Sequence, residues 1–191
     1  MKKIALIGPK GAGKSLLAYT FPAFLKHRHM VVATVNLDPM VHKLSYVPDL
    51  DVRHFGRDAD VSALYPALFK DDVFVDRMSA LSQRSEALLL DCASGLDWIW
   101  FSGLAPDFCD AAWLVSPELA PESLMTAVGE ALDVPVLNVV NTHALFATQQ
   151  KTLSPFSVPT RSRKDTVFVN AWERDGFDAL SKHVGALPQT A

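Results

Sequence analysis

Residues 4–19, IALIGPKGAGKSLLAY, join an apolar run to a second apolar run through a loop bounded by Gly8 and Gly13. Gly8 to Ser15 satisfy the pattern G-x-x-x-x-G-K-[ST] in full. The spacing has a physical reason. Glycines let successive backbone N–H groups converge on phosphate oxygens, and the helix that follows adds the positive end of its dipole. A lysine at position 14 would neutralise β- and γ-phosphates, and a serine hydroxyl at 15 would reach Mg²⁺. A strand immediately before and a helix immediately after are the context this loop needs, and few folds supply it.

The remainder of the 191 residues repeats that alternation. Apolar runs recur at 4–7, 31–35, 87–90, 111–115, 134–140 and 167–169, rich in valine and nearly uninterrupted, as parallel strands covered on both faces are. Helical spacing lies between them. Leu124, Val128 and Leu132 follow Pro121, a residue favoured at the first helical position, and Phe177, Leu180, Val184 and Leu187 share one face. Strand and helix in turn predict an α/β protein, a three-layer α/β/α fold on a mostly parallel sheet. Residues 36–86 exceed one crossover and predict a short extra strand near Val52–Phe55 plus one or two helices. Residues 150–165, with two prolines and a basic cluster, read as a loop. The chain is expected to form a single domain over residues 1–191.

Charge and cysteine content narrow the function. A formal net charge of −3 carries no basic excess of the kind nucleic-acid binders leave. No apolar stretch reaches the length of a membrane span, and the apolar start at 4–7 is too short for a secretory signal. Cys92 and Cys109 make no spaced framework, which points to a reducing cytoplasm.

A phosphate loop needs a second carboxylate for magnesium at the end of another buried strand. Asp91, closing the run Ala87–Leu90, stands at such an exit; a turn-capping aspartate is the plainer alternative. Asp38-Pro39 follows the second strand and would face the γ-phosphate, where it could position the attacking water or reach the metal. The candidate nucleotide-binding residues are therefore Gly8, Pro9, Lys10, Gly11, Ala12, Gly13, Lys14, Ser15 and Leu16. Lys14 and Asp38 are the catalytic candidates, and Ser15, Asp38 and Asp91 the metal candidates.

Residues 34–55, TVNLDPMVHKLSYVPDLDVRHF, resemble the GPN-loop GTPases, P-loop NTPases whose second strand ends in asparagine–leucine–aspartate–proline. In that family a tyrosine–x–proline–aspartate–x–aspartate–x–arginine segment follows, as Tyr46 to Arg53 do here, and the Gly-Pro opening of the loop also matches. Residues 169–180, VNAWERDGFDAL, are similar to its last strand and the entry to its C-terminal helix. The resemblance implies a Mg²⁺-dependent switch that binds ATP or GTP and hydrolyses it.

The chain also departs from that family. No Gly-Pro-Asn tripeptide lies between Arg53 and Asp91. Cys92-Ala93-Ser94-Gly95 replaces the threonine–proline–glycine–glutamine switch, and Thr142 and Ala144 stand where lysine and aspartate would read guanine. Asn141 and Asn170 are left as candidates for a less selective base contact. A slow hydrolase, a nucleotide-dependent binding module without turnover, and a small-molecule kinase with Arg161, Arg163 and Lys164 as its lid all stay open. His27 and His29 diverge at a helix end and read as solvated. Trp98, Trp100 and Phe101 read equally as a buried packing face or as a candidate surface for a homodimer or a protein partner.

Overall fold

The computed structural model describes residues 1–56, 59–95, 105–143 and 165–186. The strands β1 (Lys2–Ile7), β2 (Val32–Asn36), β3 (Leu50–Asp51), β4 (Ala87–Asp91), β5 (Ala111–Ser116), β6 (Val136–Asn141) and β7 (Thr166–Val169) form one sheet in the order β3-β2-β4-β1-β5-β6-β7. Every pairing in it is parallel. The helices are α1 (Lys14–Lys26), α2 (Val61–Leu68), α3 (Asp72–Arg84), the short α4 (Ala105–Phe108), α5 (Glu122–Leu132) and α6 (Phe177–Ala186).

Alternation along the central strands builds two cores. Ala5, Ile7, Leu88, Leu90, Ala112 and Leu114 pack with Tyr65 of α2, Phe74 and Met78 of α3, and Val128 and Leu132 of α5. Ile4, Leu6, Leu89, Trp113 and Val115 pack on the other face with Leu17 and Phe21 of α1 and Phe177, Leu180 and Val184 of α6. The result is the three-layer α/β/α arrangement expected. Phe21 sits edge-on to both Trp113 and Phe177, with centroids 5.6 and 5.2 Å away. Burying each such ring stabilises the fold by about 1.5–3 kcal/mol. Lys2 ties the sheet to α6 by donating to the carbonyls of Val184 and Gly185 at its C-terminal end.

Three local expectations are corrected. The extra strand is Leu50–Asp51, not Val52–Phe55. The Asp51 carboxylate accepts from the Arg53 N–H and caps a turn of 3₁₀ helix over Val52–His54, which ends the strand there. Pro121 is the N-cap of α5 rather than its first residue: its ψ of 147° is extended, and its carbonyl receives the N–H groups of Leu124 and Met125. β6 starts at Val136, two residues later than read, because Pro135 has no N–H to give the ladder. Leu187 and most of the 150–165 stretch lie outside the described residues.

From β1 the chain crosses β4 to reach β2, and from β4 it crosses β1 to reach β5. The carboxyl ends of β1 and β4 thus border the crevice where ligands bind in open parallel sheets. Leu6, Asp91, Asn36 and Asp51 stand side by side at that edge.

Candidate functional site

The glycine loop leaves β1 at Gly8 and enters α1 at Lys14. Gly8 has φ of 140°, and a Cβ on it would stand 2.0 Å from the Val115 carbonyl oxygen. Gly13, with φ of 92°, is pressed against the Asn141 amide, where a Cβ would come within 2.1 Å of Nδ2. Gly8 therefore admits no side chain, and one at Gly13 would have to displace the Asn141 amide at a strained positive φ. Pro9, Lys10 and Gly11 are exposed at the tip, whereas Gly8, Ala12 and Lys14 are buried.

The Lys14 ammonium is folded back under this loop. It donates to the carbonyls of Gly8 (2.9 Å) and Pro9 (3.3 Å) and to the Ser94 hydroxyl (3.0 Å). The residue is 5% exposed. Burial lowers its pKa, and the charges of Asp91 and Asp38 act against that lowering. Asp91 is buried at the end of β4. Burial raises its pKa, while hydrogen bonds from the Ser15 and Tyr46 hydroxyls and the charge of Lys14 oppose the rise. The Tyr46 hydroxyl lies 3.0 Å from Asp91 Oδ2. Asp38 begins the turn after β2: its N–H donates to Asn36 Oδ1, and its carboxylate receives the Met40 N–H. Lys14, Ser15, Asp91 and Asp38 thus meet at one sheet edge, close enough for their charges to alter one another.

The donor set fits one kind of metal site. Among the described residues no three His, Cys, Asp or Glu side chains are grouped to cage a metal ion. One hydroxyl and one carboxylate in contact, with a second carboxylate nearby, suit Mg²⁺ that arrives on a phosphate and keeps most of its waters. His27 and His29 are both exposed beyond α1, as read.

Sequence reasoning missed several parts of this edge. Asn36 donates to Asp51 Oδ1 (2.9 Å), and the Arg53 guanidinium grips the same carboxylate while donating to the Val41 carbonyl. Burial pushes the Asp51 carboxyl up, but the hydrogen bonds from Arg53 and Asn36 outweigh it and hold the pKa at about 2. Ser94 and Gly95, read only as a missing switch, touch the loop directly: Ser94 through Lys14, and Gly95 by donating its N–H to the Gly8 carbonyl (3.2 Å). Tyr46 was visible only as part of a family-like segment, and no spacing rule points its hydroxyl at Asp91.

The two asparagines have unequal roles. Asn141, 1% exposed at the end of β6, donates Nδ2 to the Ala12 carbonyl (3.0 Å) and accepts the Ala171 N–H on Oδ1 (3.2 Å). It bolts the glycine loop to the segment after β7. Asn170 Oδ1 takes the N–H groups of Trp172 and Glu173 and closes a turn. The Thr142 hydroxyl donates to the Val169 carbonyl (3.0 Å). Ala144, the suggested interface at Trp98, Trp100 and Phe101, and the suggested lid at Arg161, Arg163 and Lys164 lie outside the described residues. No helix among the described residues is long and apolar enough to cross a membrane.

A family model described as "Conserved hypothetical ATP binding protein" matches residues 6–67. A comparison with curated protein sequences finds no match. Among solved structures, a GTPase from Pyrococcus abyssi in its apo form is similar, with TM-score 0.76 and 18% identity over 100% of this chain and 98% of that one. An LAO/AO transport system kinase gives TM-score 0.51 and 14% identity over 96% of this chain and 58% of that chain. At such identities the likeness concerns the fold, which is that of the P-loop NTPases, and the family match supports nucleotide binding.

Proposed function

We propose that this protein binds a Mg²⁺-nucleoside triphosphate and acts as a nucleotide-dependent switch with slow hydrolysis, related to the GPN-loop GTPases that residues 34–55 resemble. One observation carries the reading: a buried Lys14 sits under a loop whose Gly8 has no room for a side chain, with Ser15 and Asp91 in contact beside it. A lysine held where burial opposes its charge is a poor stability element and a good anion receptor.

In this reading the backbone N–H groups of Lys10 to Leu16 cradle the phosphates. Lys14 would turn to the β- and γ-phosphates, and Ser15 and Asp91 would hold the magnesium. Magnesium supplies charge neutralisation at the phosphates when bound. Asp38, kept extended by Pro39, orients the attacking water. With Ser94-Gly95 in place of a glutamine, Asp38 works alone and turnover is slow.

A binding-only module is the second reading, favoured by the same segment: Ser94 and Gly95 are engaged with Lys14 and Gly8 and bring no group suited to water. Mass spectrometry of nucleotide carried through purification tests the binding claim and identifies the base. Phosphate release without an acceptor then separates the two readings. Purified protein that carries no nucleotide and binds none on calorimetric titration refutes both.

A further inference from the structure

Trp172 stands on the turn after β7 with 65% of its surface exposed, a large value for an indole. It is not loose. Its ring stacks on His143 with centroids 5.8 Å apart and planes 16° from parallel. Its N–H is fixed by Asn170 Oδ1, and the preceding Ala171 N–H by Asn141 Oδ1. Asn141 in turn holds the Ala12 carbonyl of the glycine loop. One buried side chain therefore sets the position of an exposed indole, backed by a half-buried imidazole, relative to the phosphate cradle.

Among the described residues, the side-chain oxygens of Asn141, Thr142 and Asn170 already have partners. Guanine N1 and N2 need acceptors, yet Asn141 Oδ1 takes the Ala171 N–H and Asn170 Oδ1 takes two backbone N–H groups. The Thr142 hydroxyl is turned to the Val169 carbonyl. Trp172 itself presents an exposed, flat π surface here.

We infer that Trp172, backed by His143, is the platform on which the nucleobase of the bound nucleotide stacks, so that base recognition here is by stacking and tolerates adenine and guanine alike. This rests on the proposed triphosphate binding and adds the base-recognition element to it. Stacking suits a tolerant site because every base has a π face, whereas edge hydrogen bonds discriminate. His143 lies too close to Trp172 for a base to enter between the rings, so the base extends the stack on its open side.

The test is a set of affinities measured by calorimetry in Mg²⁺ for ATP, GTP and inorganic tripolyphosphate, with wild type, Trp172→Ala and Trp172→Phe. Trp172→Ala is expected to weaken ATP and GTP alike by about tenfold or more, from the usual strength of base–aromatic stacking. Tripolyphosphate, which has no base, should bind the variant as it binds wild type, and Trp172→Phe should regain most of the nucleotide affinity. Unchanged ATP and GTP affinities in Trp172→Ala overturn the inference while leaving the cradle intact. So does an equal loss for tripolyphosphate, which makes Trp172 a support for the loop, or a loss confined to one base. If wild type binds none of the three ligands, the proposed function falls first and takes the inference with it.

Discussion

Replacing Asn141 by alanine should destabilise the protein far more than a polar-to-alanine change at the surface does. The side chain is 1% exposed and joins Ala12 to Ala171, which are themselves 1% and 0% exposed. In Asn141→Ala the Ala171 N–H loses its acceptor in a place water reaches poorly, at a cost of about 1–3 kcal/mol. Loss of the donor to the Ala12 carbonyl adds roughly 1 kcal/mol. The expected total is about 2–4 kcal/mol, equivalent to a fall in Tm of roughly 5–15 °C for a chain of this size. Urea unfolding followed by circular dichroism measures it, with an unchanged m-value as the check that the transition is the same one.

Two companions sharpen the test. Asn141→Asp keeps an acceptor for Ala171 but sets a charge against the Ala12 carbonyl, so it should lose at least as much stability as Asn141→Ala. Gly13→Ala should cost less in the Asn141→Ala background than in wild type, because the 2.1 Å clash disappears and only the strain of a positive φ is left. A loss below about 1 kcal/mol in Asn141→Ala would refute the reasoning, since an orphaned buried donor alone costs that much.

Asp51 makes stability depend on acid. Its carboxyl is held at about 2 in the folded protein, below the ordinary 3.8, so the stability it contributes is full above about pH 5 and is lost as pH falls through 2. Discounted for partial solvation, the effect is on the order of 1–2 kcal/mol, and Asp51→Asn should flatten that part of the curve of unfolding free energy against pH. Asp38→Asn should slow phosphate release with little change in nucleotide affinity, read by a phosphate-release assay beside calorimetry; equal rates in the two proteins would remove Asp38 from water positioning. Lys14→Met should weaken triphosphate binding by about a hundredfold or more, the scale of a lost charge-assisted contact in a buried site, without lowering the Tm of the nucleotide-free protein.

The sheet was legible because valine-rich apolar runs and helical spacing are direct consequences of burial on both faces of a parallel sheet. The phosphate loop was legible because its glycines answer steric demands that the structure exhibits at Gly8 and Gly13. Two kinds of feature were not. Strand ends set by side-chain caps were misread: Asp51 stops β3 through a hydrogen bond, which apolar patterning does not encode. Partnerships across long chain separations were missed as well. Tyr46 meets Asp91, Lys14 meets Ser94, and Asn141 meets Ala12 only because the topology carries β2, β4 and β6 to the edge where β1 ends. Trp172 was read as one letter of a family-like segment. Its exposure and its stack on His143 become visible only once β6 and β7 lie side by side.

The surroundings of Lys14 also explain why stability and affinity should diverge there. The ammonium faces two carbonyl dipoles and a hydroxyl, and burial lowers its pKa despite the nearby carboxylates. A triphosphate would bring full negative charge to the same cavity and reverse the balance. Asp91 behaves in parallel: burial raises its pKa although Ser15 and Tyr46 donate to it. Burial thus opposes the charged form of both groups, and charge of the right sign would favour it. Ligand present at about a hundred times its dissociation constant stabilises a binding-competent fold by about 2.7 kcal/mol. Wild type should show that gain with Mg²⁺-triphosphate, whereas Lys14→Met, no less stable when empty, should show almost none of it.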